Sequence, residues 1–210
     1  MQQDATQCCQ LPQIVTLELL VTAQVSIDRD IAEENMMLLD ARSRMVTDAR
    51  FFPAIARWGM CAETVTEVRN LEPTMIERAA DCLAPLFGFI DLDETVVQAI
   101  EATDVTGLPR QRDEVDAVIA EENLALLLTR WSSCKQSPVH AQAVFGLSNR
   151  LIDSLRRATI SDLRRASRRG VRLGSVTVRP QYFFHAGRNL WLQRSQRTNL
   201  AICNTRRGAY

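Results

Sequence analysis

Apolar residues in this chain return mostly at helical spacing, and the pattern predicts a succession of helices. From Ile31 to Thr47, Met36, Met37, Leu39 and Val46 keep to one side of a 3.6-residue period. Asp28 and Asp30 offer N-caps just ahead of that run. The stretch 13–27 before it fits a helix or a strand. Pro53 starts a short helix that should end near Gly59, and Thr64 to Asn70 forms another. Glu72-Pro73 opens the next, with proline in the first turn, where its missing N–H costs nothing. That helix carries Ile76, Ala79, Ala80 and Leu83 and stops before Pro85. Asp93 to Ala102 sets Val96, Val97 and Ile100 on one face. Thr103 to Asp113, with Gly107 and Pro109, reads as a linker. Beyond it, Leu124, Leu127 and Leu128 restart the helical pattern, and Leu151, Ile152 and Leu155 continue it. Thr159 to Asp162 has the spacing of a capping box and opens a helix that holds Leu163 and Ala166 and ends at Gly170. Val171 to Arg179 alternates apolar and polar residues, which predicts an extended segment. After Arg188 the chain is polar and rich in arginine, which predicts a flexible tail.

The pattern also repeats. Ile31-Ala32-Glu33-Glu34-Asn35 returns 88 positions later as Ile119-Ala120-Glu121-Glu122-Asn123. At an offset of 87, Trp58-Gly59-Met60 falls on Phe145-Gly146-Leu147, Val68 on Leu155, Ile76 on Leu163, Ala79 on Ala166 and Phe89 on Val176. A repeat of this length points to a tandem array of supersecondary units. The expectation is an all-α fold of two tandem related helical units forming a pseudo-dimer, with a possible short extended segment near 171–179. The units divide as an N-terminal extension (1–30), a first helical repeat (31–102), a linker (103–114), a second repeat (115–187) and an Arg-rich tail (188–210). Leu39, Trp58, Val68 and Ile76 should be buried, as should Leu127, Phe145, Leu155 and Leu163.

Net charge is zero, but it is unevenly spread. Residues 1–110 hold 8 basic and 18 acidic side chains, a net of −10; residues 111–210 hold 17 and 7, a net of +10. Lys135 is the only lysine, and arginine is the side chain suited to paired hydrogen bonds with phosphate or carboxylate. The basic half therefore faces either nucleic acid or the acidic half of this or another subunit. No apolar run approaches the ~20 residues that cross a bilayer. The start of the chain, with Asp4 and no early basic residue, does not read as a signal peptide, so the expected location is cytoplasmic. Cys8, Cys9, Cys61, Cys82, Cys134 and Cys203 include no Cys-x-x-Cys pair, and His140 and His185 lie far apart. No zinc site is expected, and most of the cysteines should be small buried apolar residues. There is no glycine-rich phosphate loop and no triad-like arrangement, so no enzyme, cofactor or metal is expected. Glu33-Glu34 and Asp91-Asp93 read as helix-start charges.

A helix from Asn149, a break at Thr159 and a second helix from Asp162 to Arg169 have the outline of a helix-turn-helix. In DNA-binding versions the second helix enters the major groove. The candidate DNA-binding residues are Arg156, Arg157, Arg164, Arg165, Arg168, Arg169 and Arg172. The competing reading is a solvated arginine face on an ordinary pair of helices.

The run Asn123 to Leu128, Phe145-Gly146-Leu147, Leu155, Ala158-Thr159-Ile160 and Leu163 to Ala166 resembles the core pattern of the FlhD family, flagellar transcriptional regulators. The first repeat does too, through Asn35 to Asp48, Trp58-Gly59-Met60, Val68, Leu71, Ile76, Ala79 and Phe87 to Asp91. The resemblance spans roughly residues 31–100 and 119–185. It implies an all-α fold, a homodimer, and assembly with an FlhC-like partner subunit into an activator of promoters, the partner holding the zinc and much of the DNA contact. The chain departs from the family in carrying two units where the family has one. It also lacks the cysteine the family often places in the segment matching Leu83 to Phe89, so no covalent dimer is implied there. The alternative is a helical interaction module, an adaptor or decoy, without DNA binding.

Overall fold

The computed structural model describes residues 11–205 apart from 59, 90–92, 103–113 and 170–172, with side chains from Gln24 onward other than Ala56. The chain is all-α, with eleven α-helices and one two-stranded sheet among the described residues. Its spine is two long helices packed on each other, α1 (Leu11–Met45) and α6 (Glu114–Gln136). α1 runs unbroken through the stretch left open between helix and strand, so the division at residue 30 falls inside a helix. Asp28 and Asp30 lie in its interior and cap nothing. The predicted linker lies outside the described residues.

Around the spine stand α2 (Phe52–Arg57, after a 3₁₀ turn at Ala49–Phe51), α3 (Ala62–Arg69), α4 (Pro73–Ala80) and α5 (Asp93–Glu101) from the first half. The second half supplies α7 (Pro138–Phe145), α8 (Asn149–Arg157), α9 (Ile160–Ser167) and α10 (Pro180–Arg188), followed by α11 (Arg194–Asn204). Both ends of α4 lie 87 residues before the ends of α9, and both ends of α5 lie 87 before those of α10. Counterpart helices start differently: α4 has Pro73 in its first turn where α9 has the expected capping box of Thr159 and Asp162, and α10 has Pro180 where α5 has Asp93.

The packing is exchanged between the halves. α1 carries α3 and α4, and α6 carries α8 and α9, each from its own half. By contrast α5 crosses over to pack on α8 and α9, while α10 packs on α3 and α4. The sheet joins the halves as well. β1 (Phe87–Phe89) pairs antiparallel with β2 (Leu173–Val176), Phe87 opposite Val176 and Gly88 opposite Ser175, before an irregularity sets Phe89 opposite Leu173. Gly88 thus pairs with the residue 87 positions after itself. The alternation at 171–179 correctly announced β2; three-residue β1, Phe-Gly-Phe, is too short to show any period.

Gly174 in β2 is required by its surroundings. Its φ is +81°, and a Cβ there would stand 2.7 Å from Arg42 Nη2 and 3.3 Å from Leu126 Cδ1.

One apolar core runs through both halves. Leu39, Trp58, Val68, Ile76, Leu127, Leu155 and Leu163 are buried in it as expected, while Phe145 is only partly buried against it. Each full burial contributes about 1.5–3 kcal/mol. The described part of the region after Arg188, expected to be a flexible tail, instead forms α11. Its anchor is Arg197, 7% exposed, which donates to the Asp81 carboxylate, to Asp81 O at 2.9 Å and to Leu192 O. Arginine content suggested solvation there; buried hydrogen bonding to the first half overrides it.

Candidate interaction and nucleic-acid surfaces

Four charged side chains sit at the heart of the α1–α6 contact. Arg42 pairs with Glu122 at 3.0 Å, and Arg130 pairs with Glu34 in a closer contact, all four being nearly inaccessible to water. Glu122 lies 88 positions after Glu34, and Arg130 lies 88 after Arg42. Each half therefore gives a glutamate and an arginine, and each takes the other half's complement. Helical spacing explains why: eight residues separate Glu34 from Arg42, and Glu122 from Arg130, just over two turns, so both ends of each set fall on one helix face. Reading Glu33-Glu34 as helix-start charge was incorrect for Glu34, which lies deep inside α1.

The arginines are held by more than charge. The Arg42 guanidinium stands 4.4 Å from the ring centre of Trp58 and 4.9 Å from that of Phe87. Arg130 stands 4.5 Å from Phe145 and 5.4 Å from Phe89, and donates to Phe87 O at 2.7 Å. Trp58 and Phe145 are repeat counterparts, so the aromatic clamp is duplicated along with the ion pair. Desolvated cation–π contacts of this kind can contribute ~2 kcal/mol. Burial pushes the Glu34 carboxyl upward, opposed by Arg130, and pulls the Arg42 guanidinium downward, opposed by Glu122. Asn35 and Asn123 repeat the same logic. Asn35 Nδ2 donates to Ala84 O at 3.0 Å while its Oδ1 accepts from Leu86 N at 2.9 Å; Asn123 Nδ2 donates to Ser167 O at 3.3 Å. The repeated pentapeptide marks both asparagines in the sequence but carries no sign of these bonds.

The candidate arginines divide into two groups. Arg157 pairs with Glu101 at 3.4 Å, Arg169 donates to Ala102 O at 3.3 Å, and Arg165 pairs with Asp162. Arg150, outside the candidate set, pairs with Glu94 at 2.8 Å. For Arg150, Arg157 and Arg169 the answering groups belong to α5 or the residue after it. The acidic half is therefore the partner of part of this basic surface. Arg156, Arg164 and Arg168 are exposed and have no ion-pair partner among the described residues. Arg172 lies outside the described residues. Arg164 and Arg168, one turn apart, share the outer face of α9 with Ile160, which is 47% exposed. The matching positions on and just after α4 are Glu77 and Asp81, so only the second half presents this face as basic. α8 and α9, joined through Ala158 and Thr159, keep the two-helix outline, with α9 only 8 residues long.

Cys82 and Cys134 are buried, Cys61 is partly buried and Cys203 is exposed; Cys8 and Cys9 lie outside the described residues. Burial pushes the Cys134 thiol up to about 11 and also raises that of Cys82, which makes both poor nucleophiles. Among the described residues no group of three or more His, Cys, Asp or Glu is placed to hold a metal ion, and no helix is long and apolar enough to cross a membrane. No family model, curated protein or solved structure matches the chain.

Proposed function

We propose that this protein is an FlhD-like regulator of transcription whose two units form a pseudo-dimer within one chain, working through an FlhC-like partner subunit and DNA. The observation that carries the reading is the reciprocal pairing of Glu34 with Arg130 and of Arg42 with Glu122. In a two-fold dimer, residue i of one subunit meets j of the other and j meets i. Here the same exchange occurs between positions 88 apart in one polypeptide, and the crossing of α5 and α10 follows it. The DNA contact falls to Arg156, Arg164 and Arg168, the candidate arginines that no acid neutralises among the described residues.

The test is DNA affinity as a function of salt. Neutralising phosphates releases counterions, so binding weakens steeply as salt rises. Replacing Arg156, Arg164 and Arg168 with Ala should weaken binding to all sequences and flatten the salt slope by about one unit per lost phosphate contact. Replacing Arg157 and Arg165 should mainly lower stability. A second reading, a helical adaptor or decoy without DNA binding, is favoured by the shortness of α9 and by the three candidate arginines already engaged within the chain. Absence of DNA binding at low salt would select it.

A further inference from the structure

Beside the buried Arg130 lies a recess of about 360 Å³, within the size range of small-molecule sites. Phe89, Phe145 and Leu147 give it apolar walls, and Arg130 and Asp93 are its charged groups. Both halves of the chain build it: β1 and the start of α5 from the first, α6 and the turn between α7 and α8 from the second. The repeat shows where the room comes from. At the 87-residue offset the counterparts of Phe145 and Phe89 are Trp58 and Val176, which are 1% and 3% exposed. Phe145 and Phe89, the two rings that flank Arg130, are only partly buried. Trp58 sets a larger ring against Arg42 than Phe145 sets against Arg130. Gly146, next to Phe145, also lines the recess, and a Cβ there would meet nothing within 4 Å.

The polar groups define what the recess takes. Arg130 is 2% exposed and donates from Nη1 to Glu34 and to Leu126 O, and from Nη2 to Phe87 O. A guanidinium carries five N–H donors. At least two of them, Nε–H included, therefore lack an acceptor among the described residues. A buried donor left unpaired is costly, and an acceptor on a ligand relieves that cost. The charge of Arg130 is already met by Glu34, so the vacancy suits a neutral acceptor and not a second anion. Asp93 accepts from Ser148 N through Oδ2 at 2.6 Å, while its Oδ1 has no partner among the described residues. An ionised carboxylate only accepts, so it asks the ligand for a donor. The counterpart of Asp93 is Pro180, so only this side offers an acceptor at that position. Phenyl walls favour a planar ring, which they meet by offset or edge contacts.

We propose that this recess binds a small, neutral aromatic carboxamide, its carbonyl accepting from Arg130 and its amide N–H donating to Asp93. The site takes no part in the DNA contact, so it stands or falls independently of the regulatory reading. NMR titration of the full chain with benzamide tests it, with benzoate and benzylamine as charged molecules of similar shape. The expected result is a saturable shift of the Gly88 and Gly146 amides, with NOEs from the benzamide ring to Phe89 and Phe145. Benzoate offers Asp93 no donor and benzylamine offers Arg130 no acceptor, so each should bind about tenfold more weakly or worse. Phe145→Trp brings the counterpart's larger ring into the recess and should weaken benzamide about tenfold or more. Should that variant fail to fold, the NOEs of the wild-type chain decide. The absence of a saturable shift overturns the proposal, as do NOEs to residues away from the recess. So does a charged probe that binds as well as benzamide, or a folded Phe145→Trp variant that binds benzamide unchanged.

Discussion

Arg42 reaches across 80 positions of sequence to the carboxylate of Glu122, its Nη2 3.0 Å from Oε2, with both side chains almost wholly removed from water. Two charges in such a place are tolerated because they meet each other and because Trp58 and Phe87 flank the guanidinium. Removing one partner strands the other, at a cost of about 3–5 kcal/mol. Arg42→Met should therefore lower the free energy of unfolding in urea by about that amount. The double variant Arg42→Met, Glu122→Leu should recover most of it, since an apolar pair of similar volume is often neutral in place of a buried ion pair. A double variant as unstable as the single would mean that the pair is not what holds this crossing.

Two glycines separate backbone cost from crowding. Gly146 and Gly174 both have positive φ, 68° and 81°. A Cβ on Gly146 meets nothing within 4 Å, whereas on Gly174 it meets Arg42 Nη2. Gly146→Ala should cost about 1–2 kcal/mol, the penalty of the left-handed conformation alone. Gly174→Ala should cost about 1–3 kcal/mol more through overpacking against the buried ion pair. Equal losses in thermal unfolding would contradict the close approach of β2 to Arg42.

Asp30 predicts a pH effect. Burial raises its carboxyl above the usual 3.8, with Glu33 adding to the rise, and the Ser132 hydroxyl and Arg29 oppose it only in part. A carboxyl raised in the folded state holds its proton more tightly there than in the unfolded chain. The stability it contributes is complete below 3.8 and is lost as pH climbs through the raised value. Asp30→Asn should accordingly raise the thermal midpoint at pH 7, and the gain should vanish below 3.8. A gain that is the same at both pH values would place its origin elsewhere.

The positions that carried the architecture in the sequence were those with period and partner in view. Leu39, Val68, Leu127 and Leu155 announced buried helix faces, and the 87-residue offset set Ile76 and Ala79 on Leu163 and Ala166, which lie in the matching helices α4 and α9; α4 stops at Ala80, short of Leu83, and α10 had no sequence signal. What could not be read is long-range. Glu34 looks like any acid near a helix start until α6 brings Arg130 against it. Arg197 looks like a solvated tail residue until Asp81 meets it, and Arg157 looks like a phosphate ligand until α5 crosses over with Glu101. Opposite charges distant in sequence give no local signal, so the surface arginines could be sorted only once their neighbours were in place.

The direct test of a pseudo-dimer in one chain is to divide it. With the chain opened between Gly107 and Leu108 and the two pieces expressed together, α5 remains with the first piece and α10 with the second, yet each packs on the other's helices. The account predicts that the pieces co-purify in equal amounts with the helical content and cooperative unfolding of the intact protein, and that neither piece folds as a monomer by itself. Two pieces that each fold alone and elute separately would contradict it.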